Sequence, residues 1–197
     1  HVLYRTIDNG DHVCVLTGAG MSAESGIPTF RGTHDSLWSR FDPMRLATAE
    51  AWREDPALVW GWYRWRMQLV RDAQPNAGHR ALAALAQRVP LSLVTQNVDD
   101  LHERAGSIVD AHVHGSLFAL RCFACGRAHD GPLDDYLEGM QRVEPMRCAA
   151  CGDRVRPGVV WFGEALPEAA WASAVSAAGR CALMLVVGTS GLVYPAA

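Results

Sequence analysis

The chain has 197 residues, of which 49% are apolar, and a formal net charge of −3. This length and composition fit one globular domain, with room for a small inserted module, and argue against disorder. No stretch approaches the roughly eighteen consecutive apolar residues of a membrane span, and the negative charge argues against a general nucleic-acid binder.

The chain shows no secretion signal. It begins at His1 and not at Met, so we expect it to be part of a longer product. All 18 basic residues are arginine, which we attribute to codon usage. The lack of lysine and of a basic tail favours a cytoplasmic location over binding to chromatin.

Strand and helix patterns alternate along the chain. Buried strands are predicted at Val13–Thr17, Leu91–Thr95, Ile108–Val113 and Ala182–Val187. Helices are predicted near Ala47–Arg53 and over Pro56–Asp72 and Asn76–Arg88. This alternation predicts an α/β fold with a Rossmann-like, doubly wound parallel sheet.

The first strand leads directly into a glycine-rich loop. Gly18 and Gly20 permit a tight turn and close backbone approach, and the N–H groups of a helix start attract phosphate. Gly26 and Pro28 end that helix almost at once, so the long helix of an ordinary dinucleotide-binding unit is missing. On its own this pattern is weak, since a plain turn between a strand and a helix uses the same residues.

Small or polar residues follow every predicted strand. These segments are Gly18-Ala19-Gly20, Gln96-Asn97-Val98-Asp99, His114-Gly115 and Gly188-Thr189-Ser190. Because ligands of parallel sheets bind at the carboxyl ends of the strands, we expect one composite site there.

Two C-x-x-C pairs, Cys122/Cys125 and Cys148/Cys151, are separated by a spacer of zinc-ribbon length. Four thiolates suit tetrahedral Zn²⁺, and a closed four-cysteine site is structural rather than catalytic. Two redox dithiols or disulfides are the alternative. The charges of residues 121–156 balance, so we predict a zinc-binding module that does not bind nucleic acid, inserted into a domain of residues 1–120 and 157–197.

The segment from Gly18 to Arg31 resembles the NAD-binding loop of the sirtuins, the NAD-dependent protein-lysine deacylases. Further segments match sirtuin motifs in the family's order: Thr95–His102, His112–Gly115, Val160–Glu164 and Gly188–Ser190. The resemblance implies NAD as co-substrate, one structural Zn²⁺ and acyl-lysine proteins as partners. Family members continue beyond the position of Ala197, so it also implies that the adenine-binding part lies outside this chain.

The resemblance further implies roles for individual residues. His114 would be the base that takes a proton from a ribose hydroxyl, which suits a histidine because its ordinary pKa is near the working pH. Asn97 would position the ribose and a water, and Asp99 would bind the nicotinamide carboxamide. The other residues expected to contact the cofactor are Gly18, Ala19, Gly20, Ser22, Ala23, Pro28, Phe30, Arg31, Gln96, Gly188, Thr189 and Ser190. We assign no role to His102 or His112, and we predict a solvated helix face for Asp100 and Glu103.

Tyr63 and Arg66 lie on one face of a predicted helix. With Ala47 they resemble the class III sirtuins, in which this pair recognises succinyl, malonyl and glutaryl groups. A guanidinium and a phenol can hold a carboxylate by charge-assisted hydrogen bonds. The alternative is that Tyr63 belongs to an aromatic core.

We expect the substrate peptide to lie as an added strand between Val159–Glu164 and Gly191–Tyr194. The residues predicted to bind the substrate are Ala47, Tyr63, Arg66, Val160, Trp161, Phe162, Gly163 and Glu164.

The leading hypothesis is a monomeric deacylase that removes succinyl, malonyl and acetyl groups and releases nicotinamide and O-acyl-ADP-ribose. Mono-ADP-ribosyl transfer, which uses the same activated ribose, is one alternative. A non-catalytic binder of NAD or acyl-lysine is the other.

Overall fold

A computed structural model describes residues 10–29, 43–133, 137, 139–192 and 194–196. In chain order the elements are β1 (Val13–Thr17), a 3-10 helix (Ala19–Ser25), α1 (Pro43–Leu46), α2 (Ala49–Glu54), α3 (Pro56–Asp72), α4 (Ala77–Leu85), β2 (Leu91–Thr95), α5 (Leu101–Arg104), β3 (Ala111–His112), β4 (Gly115–Cys122), β5 (Val155–Val159), α6 (Glu168–Arg180) and β6 (Leu183–Val187).

The larger sheet has four parallel strands in the order β3-β2-β1-β6, which confirms the predicted α/β fold. Strand β1 is buried along its whole length because it lies between β2 and β6. Thr17, the last residue of β1, is in register with Thr95 on one side and Val187 on the other. The carboxyl ends of these strands therefore form one level edge.

Strand β3 is much shorter than the predicted Ile108–Val113, and its first predicted residue, Ile108, is 85% exposed. The Asp110 carboxylate accepts the backbone N–H of Leu93 at 2.8 Å, and the Asp110 N–H donates to the Leu93 carbonyl. This side chain takes the place of a backbone partner for β2, so regular pairing begins only at Ala111.

Helix α3 has the predicted bounds because both its caps are local. The Asp55 side chain accepts the Leu58 N–H at 3.1 Å, and Pro56 occupies the first turn. The helix predicted near Ala47–Arg53 is α2, and it begins at Ala49 because the Thr48 side chain caps its start. Helix α6, which is rich in alanine, has no counterpart in our predictions.

Strands β4 and β5 form a separate antiparallel pair that supports the cysteine-rich segment. A Cβ atom on Gly115 would lie 2.0 Å from the Gly158 carbonyl oxygen, so only glycine allows this approach. The domain division at residues 121–156 stays a prediction.

The largest core cluster is aromatic and packs helix α3 against β4, β5 and the segment after β5. It contains Trp52, Trp60, Trp62, Tyr63 and Trp161, with Trp52 and Trp161 centroids 5.6 Å apart. Among the helices of the described ranges, none has the length and apolarity needed to cross a membrane.

Candidate active site at the carboxyl edge of the sheet

The loops after β1 and β6 touch each other at the edge of the sheet. The Gly18 N–H donates to the Val187 carbonyl at 2.9 Å, and the Gly20 N–H donates to the Gly188 carbonyl at 2.7 Å. A Cβ on Gly20 would lie 2.9 Å from the Gly188 Cα, and one on Gly188 would lie 2.2 Å from the Met21 nitrogen. The glycines are therefore required by contact between the two loops.

Some N–H groups of this loop are bonded within the protein. The Gly18, Gly20 and Met21 N–H groups all have backbone acceptors, so phosphate binding by the loop, which stays a prediction, would use other N–H groups. The helix that follows is a 3-10 helix, and it ends at Gly26 in the left-handed region, as the early stop predicted.

Three buried polar side chains from two loops form a cluster below this contact. The Ser22 hydroxyl donates to Asp99 Oδ2 at 2.9 Å, and the Asn97 amide donates to the Ser22 hydroxyl at 3.3 Å. Asp99 Oδ1 also accepts the Leu101 N–H at 3.1 Å, while burial raises the pKa of the Asp99 carboxyl. The predicted residues Ser22, Asn97 and Asp99 are thus brought into direct contact.

Gln96 connects the β6 loop with His114. Its amide donates to the Thr189 hydroxyl at 3.2 Å, and its carbonyl oxygen lies 3.1 Å from His114 Nδ1. Because a carbonyl can only accept, His114 carries its hydrogen on Nδ1 and keeps a lone pair on Nε2. Burial lowers the pKa of His114, so the neutral form is favoured near pH 7. This is the state that a general base requires.

The peptide of Asn97 is held by residues that our sequence analysis left without a role. The Asn97 N–H donates to the Thr95 hydroxyl at 3.0 Å, and the Thr17 hydroxyl donates to Thr95 at 2.8 Å. His102 Nε2 lies 2.9 Å from the Thr17 hydroxyl oxygen. The only sequence signal was the threonine that ends each of two neighbouring strands.

His112 and Glu103 lie on the other side of Asn97. His112 Nδ1 is 3.2 Å from the Asn97 carbonyl oxygen, and Nε2 is 2.6 Å from Glu103 Oε1. The Glu103 side chain is exposed, as predicted, and it is also paired with His112.

Arg66 lines a small cavity that opens beside Asp99. Its guanidinium carbon lies 4.8 Å from the Trp62 ring centroid and 5.6 Å from that of Tyr63. The other lining residues are Ile27, Pro28, Leu69, Val70, Val98, Asp99 and Leu117. A cation therefore stands at the wall of an otherwise mainly apolar cavity.

Tyr63 is a core residue, as the alternative interpretation held. Its side chain is buried, and burial raises the pKa of its phenol to about 12. The phenol oxygen accepts the Trp161 indole N–H at 2.9 Å. Tyr63 still contacts Arg66, so core packing and the predicted pairing coexist.

The segment after β5 runs past both His114 and Ala47. The Val160 N–H donates to the His114 carbonyl at 2.9 Å, and the Phe162 N–H donates to the Ala47 carbonyl at 3.0 Å. The Glu164 carboxylate accepts from the buried Arg156 and from the Trp161 N–H at 2.8 Å. Glu164 therefore braces this segment, and its expected contact with the substrate stays a prediction.

The remaining predicted residues lie around the opening of the site. Exposed or half-buried positions are Ala19, Ala23, Pro28, Val160, Phe162, Gly163, Gly188 and Ser190. In the expected peptide-binding segment at 191–194, Leu192 and Tyr194 are exposed. Phe30 and Arg31 lie outside the described residues.

The four predicted cysteine ligands form one cluster, with all four sulfur atoms within 4.8 Å of one another. Cys122 Sγ is 3.4 Å from Cys151 Sγ, and Cys125 Sγ is 3.8 Å from Cys148 Sγ, so the closest contacts join different C-x-x-C pairs. Tetrahedral zinc with Zn–S bonds of about 2.3 Å needs sulfur atoms about 3.8 Å apart. The cluster fits one structural zinc ion and not two separate redox pairs.

The chain resembles known proteins in both sequence and structure. Residues 18–195 match the model of the Sir2 family. The chain is 60% identical over 186 residues to NAD-dependent protein deacylase 1 of Pseudomonas aeruginosa, covering 93% of this chain and 74% of that protein. It is 54% identical over 185 residues to the NAD-dependent protein deacylase of Mycobacterium tuberculosis, covering 94% and 78%. A crystal structure of a Sir2 homologue in complex with NAD has a TM-score of 0.82 at 47% identity, over 94% of this chain and 70% of the other.

Proposed function

This chain belongs to the Sir2 family and is an NAD-dependent protein-lysine deacylase, and we propose that Asn97, Asp99 and His114 form its reaction centre. The observation that carries the proposal is the hydrogen bond from His114 Nδ1 to the Gln96 carbonyl. It fixes the tautomer whose Nε2 is free of hydrogen, at the edge where the polar loops meet. The buried Ser22, Asn97 and Asp99 cluster lies on the same edge.

Bound NAD supplies an activated ribose carbon, which the acyl oxygen of the lysine attacks as nicotinamide leaves. Asn97 would hold the ribose, and Asp99 would accept from the nicotinamide carboxamide. His114 Nε2 would take the proton of a ribose hydroxyl, since a neutral imidazole near pH 7 is a suitable base. The mainly apolar walls beside Asp99 would keep water from the reacting carbon.

We propose further that the acyl groups include acidic ones, with succinyl and malonyl preferred to acetyl. The support is the Arg66 guanidinium, which stands on the Trp62 face at a mainly apolar cavity next to Asp99. A carboxylate at the far end of an acyl chain would gain a charge-assisted hydrogen bond there, whereas an acetyl group would not reach it. The buried Ala47 leaves room for such a chain.

Exchange of Arg66 tests this preference. Arg66→Met should reduce kcat/KM for a succinyl-lysine peptide by about a hundredfold, the loss of a charged hydrogen bond, and change acetyl-lysine activity much less. Arg71→Met, on the same helix, is the matched control. Equal losses on both peptides would contradict the acidic preference and leave the deacylase activity standing.

Nicotinamide release with acetyl- and succinyl-lysine peptides tests the reaction itself. A deacylase releases nicotinamide and transfers the acyl group only when the acyl peptide is present. Release with ADP-ribose attached to an acceptor protein would support mono-ADP-ribosyl transfer instead. NAD binding without peptide-dependent release would indicate the non-catalytic binder.

Acyl-lysine proteins are the partners of this chain, and we propose that it meets them as a monomer in the bacterial cytoplasm. The bacterial location is supported by the similar deacylases of Pseudomonas aeruginosa and Mycobacterium tuberculosis, and the negative net charge argues against a general affinity for nucleic acid. Sedimentation of the chain alone and with an acyl peptide would check the monomer.

A further inference from the structure

His112 lies two positions before His114, but its hydrogen bonds favour a different protonation state. Nδ1 faces the Asn97 carbonyl at 3.2 Å, and Nε2 faces the Glu103 carboxylate at 2.6 Å. Both partners are acceptors, so each ring nitrogen must carry a hydrogen. A lone pair on Nε2 could not lie 2.6 Å from a carboxylate oxygen. This geometry favours the imidazolium form of His112.

The surrounding charges favour this state. Burial lowers the pKa of His112, but the hydrogen bond and charge of Glu103 outweigh it and raise the pKa above its ordinary value. The charge of Asp99 also raises the pKa of His112. His102 on α5 is a neighbouring basic group, and burial and the charge of His112 lower the pKa of His102. Burial raises the pKa of Glu103, but the hydrogen bond from His112 keeps it below its ordinary value.

Helix α5 thus supports both backbone polar groups of Asn97, its N–H and its carbonyl. Through His102, Thr17 and Thr95 it supports the acceptor of the Asn97 N–H. Through Glu103 and His112 it supports the donor to the Asn97 carbonyl. The Asn97 side chain is then directed at the Ser22 hydroxyl by a backbone that is fixed on each side.

We propose that His112 and Glu103 are positioning residues for Asn97, and that the charged pair keeps the Asn97 peptide in the orientation needed for reaction. This inference rests on the proposed role of Asn97. When His112 loses a proton, the remaining hydrogen stays on Nε2 against the Glu103 carboxylate, and Nδ1 presents a lone pair to the Asn97 carbonyl. The Asn97 carbonyl then loses its donor, so turnover should fall on the alkaline side of the pH profile.

Two amide substitutions separate the two bonds of His112. An asparagine nitrogen takes the place of Nδ1, so His112→Asn keeps the donor to the Asn97 carbonyl at every pH. A glutamine nitrogen takes the place of Nε2, so His112→Gln keeps the contact with Glu103 and loses that donor. We expect kcat within about twofold of the unchanged chain for His112→Asn and at least about tenfold lower for His112→Gln, since small misplacements at a reacting centre are costly.

The pH profile of kcat distinguishes positioning from a purely structural role. The alkaline decline should be absent in His112→Asn and should move about one pH unit lower in Glu103→Gln, because the carboxylate no longer stabilises the cation. Glu168→Gln, an exposed carboxylate on α6, is the control and should leave the profile unchanged. Equal kcat in the two His112 variants, or an unshifted decline in Glu103→Gln, would overturn the proposal.

Nitrogen-15 NMR of the histidine rings measures the protonation of His112 independently of enzymatic activity. Both nitrogens of His112 should be protonated at pH 7, and the Asn97 carbonyl carbon shift should change in His112→Gln but not in His112→Asn. A neutral His112 at pH 7 would overturn the inference. Absence of nicotinamide release would instead count against the proposed function, with the NMR result still deciding the hydrogen bonds.

Discussion

Two histidines on adjoining strand ends, His112 and His114, differ in charge because of what each ring nitrogen contacts. One carbonyl partner leaves His114 a free lone pair, whereas a carbonyl and a carboxylate together favour the doubly protonated form of His112. Sequence alone gives the two residues the same chemistry. Their neighbours, drawn from a different loop and helix, decide which can act as a base.

His114→Ala should lower kcat for peptide-dependent turnover by at least about a hundredfold, the typical contribution of a general base. NAD binding measured by calorimetry should be largely kept, since the predicted cofactor contacts are spread over other loops. His129→Ala in the cysteine-rich segment is the control. In the unchanged chain, activity should fall as the pH decreases through a value below 6.5, because burial lowers the pKa of the base. An acid decline that persists in a residually active His114 variant would contradict this assignment.

Gly20 and Gly179 provide a matched pair of glycine substitutions. Gly20→Ala places a Cβ 2.9 Å from the Gly188 Cα, so it should cost about 1–3 kcal/mol of unfolding free energy by overpacking. Gly179→Ala in α6 meets open space, and it should be neutral or stabilising by less than about 1 kcal/mol. Urea unfolding of both variants measures the difference. Equal effects would show that the two loops can separate freely.

At the scale of elements, the bounds that local sequence signals determine were predicted, and those that tertiary contacts determine were not. The bounds of β1, β2 and α3 followed from the sequence because each combines a strong apolar pattern with its own end signals. The start of strand β3 could not be predicted, because Asp110 pairs with Leu93 through its side chain. The same limit hid the Glu103 and His112 pair, since no local pattern indicates which strand a helix residue will face.

Helix α5 makes a testable contribution to pH stability through His102. Burial lowers the pKa of His102 to about 4, and among the described residues Nδ1 has no partner for a second proton. The unfolded chain binds that proton near pH 6.5, whereas the folded chain does not. The folded state is therefore fully stable relative to the unfolded state above pH 6.5, and it loses stability as the pH falls from 6.5 to 4. The loss should be about 3 kcal/mol.

Urea unfolding at pH 7 and pH 4.5 measures this loss. His102→Gln should show a smaller decrease than the unchanged chain, while His129→Gln should match the unchanged chain. The same decrease in His102→Gln would assign the acid sensitivity to other groups.

At the scale of the whole molecule, the cysteine cluster and the reaction site share two strands. Strand β4 begins directly after His114, and β5 continues into Val160, whose N–H donates to the His114 carbonyl. The far ends of both strands lead to the cysteines, so the zinc site holds the pair together at one end and the reaction site lies at the other. The ligand spacing was visible in the sequence, but the mechanical connection depends on the close contact of Gly115 and Gly158.

Removal of zinc should therefore affect both stability and turnover, although the metal has no open position for chemistry. We expect one zinc per chain by elemental analysis. Chelation, or Cys125→Ser, should lower the unfolding free energy by at least about 2 kcal/mol, which corresponds to a Tm lower by roughly 4–8 °C. Turnover should fall in parallel, because loosening of β4 and β5 releases the Val160 contact with His114. Cys181→Ser, outside the cluster, is the control for loss of a thiol. If the metal-free chain kept its Tm and kcat, the strands would hold the site without the metal, and the proposed connection would be wrong.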